Sequence, residues 1–175
     1  MQTEYLIRRM TVADIDRVCE IDRLTFAHPW TQENYLYELK QNPCARYLVL
    51  EAEGTIVGFA GGWIILDESH VTNIGILKDY RGNGYGKAIT RALLQYFSNL
   101  GASYTTLEVR KSNMVAQHVY TSLGFVSVGV RKKYYTDTGE DGLIMVCDHL
   151  PEVQEDFVEP ETVFEADAPQ EDRNA

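Results

Sequence analysis

Cysteine is scarce in this chain: Cys19, Cys44 and Cys147 are odd in number, far apart and outside any C-x-x-C arrangement. That excludes a full disulfide framework and a cysteine-based zinc site, and leaves small buried hydrophobes as the expectation for all three. The four histidines, His28, His70, His118 and His149, share no metal-ligand spacing and have no Ser or Cys partner in a recognisable triad. No apolar run approaches a membrane span, and the opening MQTEYLIRRM lacks the charged-then-apolar layout of a signal peptide. A cytoplasmic protein without membrane contact is the expectation. Positive charge is short as well. The formal net charge is −10, and no basic cluster offers the footprint of a nucleic-acid binder.

What is present fits one globular domain with an appendage. The chain has 175 residues, enough for a sizeable core. Its acidity is concentrated: from Pro151 to Ala175 nine Asp and Glu residues face Arg173 alone, so residues 1–150 carry only −2. Pro151, Pro160 and Pro169 interrupt that stretch, and it has little apolar periodicity. Residues 151–175 are expected to form a disordered acidic tail, with Phe157, Val158, Val163 and Phe164 leaving room for a short docking segment.

Within residues 1–150 the pattern alternates between strands and helices. Tyr5 to Arg9 reads as a strand, and Thr11 with Asp14 suits a capping box for a helix through Val12, Ile15 and Cys19. Thr31 suits the cap of a second helix that must stop before Pro43. Arg46 to Ala52 and Ile56 to Ile65 flank a Glu53-Gly54 turn; Gly58, Gly61 and Gly62 suggest a bulge or close backbone approach. After a turn at Asp67-Glu68, His70 to Ile76 is the next strand. Ile89, Ala92, Leu93, Tyr96 and Phe97 form the apolar stripe of the clearest helix, stopped by Gly101. A strand over Thr105 to Val109 precedes a helix over Asn113 to Leu123, with Val115, Val119 and Leu123 inward. Phe125 to Val130 and Leu143 to Cys147 close the domain around a turn at Asp137 to Gly142. The result is a mixed α/β sheet with central β-α-β-α-β units.

The segment Arg81-Gly82-Asn83-Gly84-Tyr85-Gly86 lies between a strand and the start of the long helix. Unpaired N–H groups and the helix dipole gather positive potential there, and glycines let an anion approach the backbone. Alone, such a turn is often a mere connection. It is neither G-x-G-x-x-G nor a P-loop. Together with Asn73-Ile74-Gly75-Ile76 and Asp79-Tyr80 before it, however, it resembles the R/Q-x-x-G-x-G/A cofactor motif of the GNAT acetyltransferases. Further segments occur in order: F-A-H-P-W-T at 26–31, L-E-V-R-K-S-N at 107–113, V-Y-T-S-L-G-F at 119–125 and R-K-K-Y-Y at 131–135. Over residues 4 to about 147 the set resembles the bacterial RimI-type branch. Gly75 departs from the Ala usual in the family.

The resemblance implies a mostly antiparallel central sheet with one central parallel strand pair, flanked by helices. It also implies acetyl-CoA as co-substrate. Pyrophosphate would bind at Arg81, Gly82, Asn83, Gly84, Tyr85, Gly86 and Lys87; pantetheine would bind along Ile74, Gly75 and Ile76, with a further contact from Asn113. Glu108 becomes the general base and Tyr120 the general acid; taken singly each is better read as a plain strand or core residue, and it is E-V-R-x-S-N followed by Y-x-x-L-G-F that favours the functional reading. Trp30, Tyr134 and Tyr135, the last two expected in a loop, are candidate walls of a slot for an extended peptide, although Trp30 suits a covered core edge as well. Cys147 on a late strand disfavours an acyl-cysteine intermediate, so direct attack by the amine is expected.

The implied substrate is a protein N-terminus, the N-terminal alanine of a small-subunit ribosomal protein, taken up by a monomer or weak dimer. An α-amine, with pKa near 8 against about 10.4 for lysine, is easier to deprotonate by roughly 3 kcal/mol. A small-molecule amine acetyltransferase and a non-catalytic acetyl-CoA-binding module are the alternatives.

Overall fold

The computed structural model describes residues 4–157. The expected disorder of 158–175 lies outside the described residues. Seven strands form one sheet: β1 (Tyr5–Arg9), β2 (Ala45–Ala52), β3 (Thr55–Ile65), β4 (Glu68–Ile76), β5 (Tyr104–Arg110), β6 (Val126–Tyr135) and β7 (Glu140–Cys147), in the spatial order β1-β2-β3-β4-β5-β7-β6. All neighbours are antiparallel except β4 and β5. Four helices accompany them: α1 (Ile15–Thr25), α2 (Gln32–Lys40), α3 (Tyr85–Asn99) and α4 (Met114–Ser122). No described helix is long and apolar enough to cross a membrane.

Local chemistry explains most boundaries. The Asp14 carboxylate receives the Thr11 N–H at 2.8 Å and two Arg8 guanidinium contacts at 2.7 and 2.9 Å, fixing the entry to α1. Burial pushes the acidity of Asp14 one way, but Arg8 and Thr11 outweigh it and hold the carboxyl below its usual range. At α2 the Thr31 hydroxyl accepts from Asn34 N–H at 3.2 Å while the Asn34 side chain accepts from Thr31 N–H at 3.0 Å, a reciprocal cap. Glu53 and Gly54 both take positive φ, as a two-residue hairpin turn requires. The β3–β4 turn falls at Leu66 and Asp67, one residue earlier than the Asp-Glu pair suggests. A bulge interrupts β3 at Gly61/Gly62, where a Cβ on Gly62 would sit on the His70 carbonyl.

Two apolar layers cover the sheet. On one face α3 inserts Ile89, Leu93, Tyr96 and Phe97, all fully buried, against β2, β3 and β4; Leu107, Val109, Phe125 and Met145 extend this layer toward α4. Each such side chain stabilises the fold by about 2 kcal/mol through burial. On the other face Val18, Ile21 and Tyr35 of α1 and α2 pack on Tyr47, Val49 and Phe59.

Two expectations are corrected. Leu123 packs inward as expected, but Val115 is 78% exposed; α4 turns Ala116 and Tyr120 onto the core beside Phe125. Residues 151–157 are also placed against the domain. The carbonyls of Pro151, Glu152 and Gln154 accept from Ser98, Gln95 and Asn99, and the Phe157 ring lies 5.8 Å from that of Tyr96. The polar residues at the end of α3 satisfy the strap's backbone, which composition alone does not reveal.

A chain ending at Phe157 is therefore expected to keep the thermal midpoint of the full chain. One ending at Leu150 should lose about 2 kcal/mol and melt roughly 5 °C lower, as calorimetry can check.

Candidate active site

The parallel pair that centres the sheet is short. β4 and β5 pair only as Glu68 with Tyr104, Ser69 with Thr105 and His70 with Thr106. Beyond His70, β4 stays with β3 as far as Ile76, and β5 stays with β7 as far as Arg110. Each strand follows its outer partner, so the facing edges part into a wedge. Ile74, Gly75 and Ile76 line one side of it. Such an unpaired strand edge is a ready partner for an extended chain bearing amides.

Gly75 is packed from the α1/α2 side: a Cβ there would come within 2.7 Å of the buried Phe59 ring and 3.5 Å of Phe26. The departure from Ala thus matches a large aromatic across the strand pair, since Phe59 stands opposite Gly75 in the register.

At the wide end of the wedge the chain turns through Lys78–Tyr80 into the glycine loop. Arg81 donates from Nε to the Ile76 carbonyl at 3.0 Å, and Asn83 donates to the Tyr80 carbonyl at 3.0 Å, so both side chains shape the turn. Gly82 and Gly84 have φ of +82° and +79° with open space around them. Gly84 occupies the cap position of α3, and no side chain caps the helix there. The first helical N–H groups, from Tyr85, Gly86 and Lys87, face the loop opening as an anion site requires. Tyr85 offers only its backbone, because its side chain is buried beside Tyr5, the ring centroids 5.5 Å apart.

Glu108 alternates on β5 with Leu107 and Val109, which face the α3 layer, so its carboxylate lies on the opposite face. There Oε2 meets His70 Nε2 at 3.2 Å and Oε1 meets Arg131 Nε at 3.4 Å. A carboxylate only accepts, so the His70 proton sits on Nε2; Nδ1 faces the Thr106 hydroxyl at 2.7 Å. The His70 ring, then the Arg131 charge, outweigh burial and hold the Glu108 carboxyl below the usual carboxylate range. His70 and Arg131 escaped notice as site residues; a histidine one step from the strand's end has no sequence signal of its own.

Tyr120 belongs to the other layer. Its ring lies 5.8 Å from Phe125, and its hydroxyl has no hydrogen-bond partner among the described residues. Burial, with a smaller contribution from Tyr135, pushes its pKa up to about 12. Glu108 and Tyr120 do not touch. They converge only through the gap between β4 and β5, and Tyr135 is electrostatically coupled to both.

Tyr134 and Tyr135 end β6 rather than occupying a loop, since a bulge between Arg131 and Tyr135, with Lys133 at φ 51°, carries the strand onward. Their rings meet edge to face at 5.0 Å; Arg131 lies over Tyr134 at 5.5 Å and Arg110 over Tyr135 at 4.1 Å. Asn113 caps α4, its side-chain oxygen accepting from Ala116 N–H at 3.1 Å, which leaves its amide nitrogen for any further contact. Trp30 stands on the α1/α2 side with Tyr35, ring centroids 5.3 Å apart, and its backbone N–H donates to buried Asp22 at 3.1 Å. The thiols of Cys19 and Cys147 are buried, and burial raises their pKa, whereas Cys44 is partly exposed.

Residues 15–125 match the Acetyltransferase (GNAT) family. The chain belongs to that family. It is 43% identical over 145 residues to a Bacillus subtilis (strain 168) protein named provisionally as a [ribosomal protein bS18]-alanine N-acetyltransferase, covering 83% of this chain and 96% of the relative. It is 33% identical over 143 residues to the [ribosomal protein bS18]-alanine N-acetyltransferase of Escherichia coli (strain K12), covering 79% and 94%. The crystal structure of the Escherichia coli ribosomal-protein-S18-alanine N-acetyltransferase superposes with a TM-score of 0.77 at 29% identity, covering 89% of this chain and 99% of that one. The chain is thus an N-acetyltransferase of the GNAT fold.

If the glycine loop is the anion cradle, Gly84→Asp adds a carboxylate and a strained αL side chain where phosphate would approach. Calorimetry with coenzyme A should show at least a hundredfold loss of affinity in a protein with an unchanged circular dichroism spectrum. Unchanged affinity would reduce the loop to a turn.

Proposed function

We propose that this acetyltransferase moves the acetyl group of acetyl-CoA onto the α-amine of a protein N-terminus, the N-terminal alanine of a small-subunit ribosomal protein, in the cytoplasm. The observation that carries this is Glu108 held between His70 and Arg131 beside the wedge, in a chain whose relatives along nearly their full length bear that activity in their names. Pantetheine lies along Ile74, Gly75 and Ile76, and the diphosphate rests on the loop from Arg81 to Lys87. Asn113 contributes at the head of α4, while Trp30, Tyr134 and Tyr135 flank the peptide.

The chemistry runs by direct attack. The neutral amine bonds to the thioester carbon, and its nitrogen becomes a far stronger acid as the bond forms. Glu108, ionised throughout the neutral range, accepts that proton through a water. The carbon–sulfur bond then breaks, and Tyr120 passes its proton to the departing thiolate; solvent restores the phenol. A hydroxyl with pKa near 12 keeps its proton until charge builds on sulfur. Because Glu108 is more acidic than a free carboxyl, it cannot deprotonate the ammonium form efficiently, so the amine must arrive neutral. That favours an α-amine over lysine by roughly 3 kcal/mol.

Two variants test the roles. Tyr120→Phe should fold, bind acetyl-CoA nearly as before and lose 10²–10⁴ in kcat, about the range of general acid–base catalysis. Glu108→Gln should lose activity at neutral pH and recover part of it as pH approaches the amine's own pKa near 8; the Phe variant should show no such recovery. Near-normal kcat in both would remove the assignment. Mass spectrometry of N-terminal peptides, lysine peptides and spermidine incubated with acetyl-CoA tests the substrate class, and preferential acetylation of spermidine would overturn the N-terminal reading.

A further inference from the structure

Glu38 is a buried carboxylate without a cation. It lies on α2 and is only 7% exposed. Both of its hydrogen bonds fall on one oxygen, Oε2, which accepts from Trp63 Nε1 at 2.8 Å and Asn42 Nδ2 at 2.9 Å. Oε1 has no partner, and no ion pair reaches the residue, among the described residues. Oε1 is open to solvent at the surface, where a cation or hydrogen-bond donor can reach it.

The group borders an open cleft of about 200 Å³ lined by Trp30, Asn34, Tyr37, Glu38 and Trp63. Asn34, Tyr37 and Glu38 share one face of α2, at i, i+3 and i+4. Trp63 reaches the cleft from β3, and Trp30 reaches it from the segment before α2. Two indoles and a phenol around a carboxylate suit a cation carried on an apolar stem. The rings favour the charge through their faces, and the carboxylate adds a charge-assisted hydrogen bond. The volume suits the head of one side chain rather than a whole small molecule.

The register places this cleft beside the candidate catalytic carboxylate. Trp63 stands opposite His70 across the β3–β4 pair, and His70 contacts Glu108. From β5 across β4 to β3 is two strand spacings, roughly 10 Å, and an extended peptide covers about 3.3 Å per residue. We infer that the cleft receives a lysine or arginine side chain from the acceptor peptide, within about three residues of the acetylated amine. This rests on the proposed acetylation of protein N-termini. A basic arm is what a ribosomal protein offers, since binding RNA requires positive charge.

The cleft contains both tryptophans of the chain, so intrinsic fluorescence reports its occupation without any turnover. Hexapeptides starting with alanine and carrying arginine at the second, third or fourth position are titrated against twins with citrulline, which keeps the shape and removes the charge. With the wild-type chain, at least one arginine peptide should perturb fluorescence saturably with a Kd tenfold or more below its twin, and KM should show the same ratio with kcat within about twofold. Glu38→Gln, which preserves shape, should bring the arginine peptide to the affinity of its twin. Equal affinities for all twins, or a preference that survives Glu38→Gln, overturn the assignment.

The ligand-side comparison needs no variant, so a misfolded Glu38→Gln protein leaves it decisive. Arginine preference in binding without acetylation of any peptide upholds the cleft and sinks the N-terminal reading. Acetylation without preference does the reverse. Spermidine displacing the arginine peptide and being acetylated faster than it would assign the cleft to a free polyamine and overturn the peptide occupant.

Discussion

The fold turns on a partnership that stops after three residues. A parallel strand pair continued to its end would seal the sheet between β4 and β5, and the two faces would never communicate. Each strand instead keeps its antiparallel neighbour, β3 or β7, and those neighbours diverge. The resulting wedge leaves the β5-facing edge of β4 unpaired from Val71 to Ile76, between strands that are otherwise paired. The unpaired edge is tolerable because it is walled by α1 and α3 rather than free to recruit another strand.

Two layers of side chains approach the wedge from opposite sides. Glu108 comes with His70, Thr106 and Arg131 from the α1/α2 face; Tyr120 comes with Phe125 from the α3/α4 face. The environments push the two groups apart in acidity: positive neighbours hold the carboxyl low, and apolar surroundings hold the phenol high. Such a separation lets one group accept protons and the other keep its own at the same pH. The sheet itself keeps the two apart until a substrate bridges the gap.

Much of this was legible in the chain. Strong alternation placed β1 and the hairpin at Glu53-Gly54 nearly to the residue, and the capping residues placed the starts, though not the ends, of the two helices that follow β1. The positive-φ glycines gave the loop before α3. Short elements with weak periodicity misled: the nine residues of α4 carry Val115 and Val119 on one side, yet Ala116 and Tyr120, one position on, face the core beside Phe125. The extension of β6 to Tyr135 depends on a bulge at Lys133, pinned by Asp141 accepting from its N–H at 3.0 Å, a contact between residues eight apart. His70, Arg131 and Trp63 share a neighbourhood through the pairing of the strands, and Glu38 joins them through the packing of α2 on the sheet.

The strap from Pro151 to Phe157 sets where the acidic end of the chain begins. Its carbonyls are held by Gln95, Ser98 and Asn99 at the last turn of α3, while the glycine loop opens the first turn of the same helix. From Tyr85 to Gln95 and Asn99 is ten and fourteen residues, about 15 and 21 Å at the usual helical rise. The Debye length in physiological salt is about 8 Å. The strap that carries Glu152, Glu155 and Asp156 is therefore anchored roughly two screening lengths from the anion cradle, and α3 acts as a spacer that insulates a polyanionic ligand from these three carboxylates.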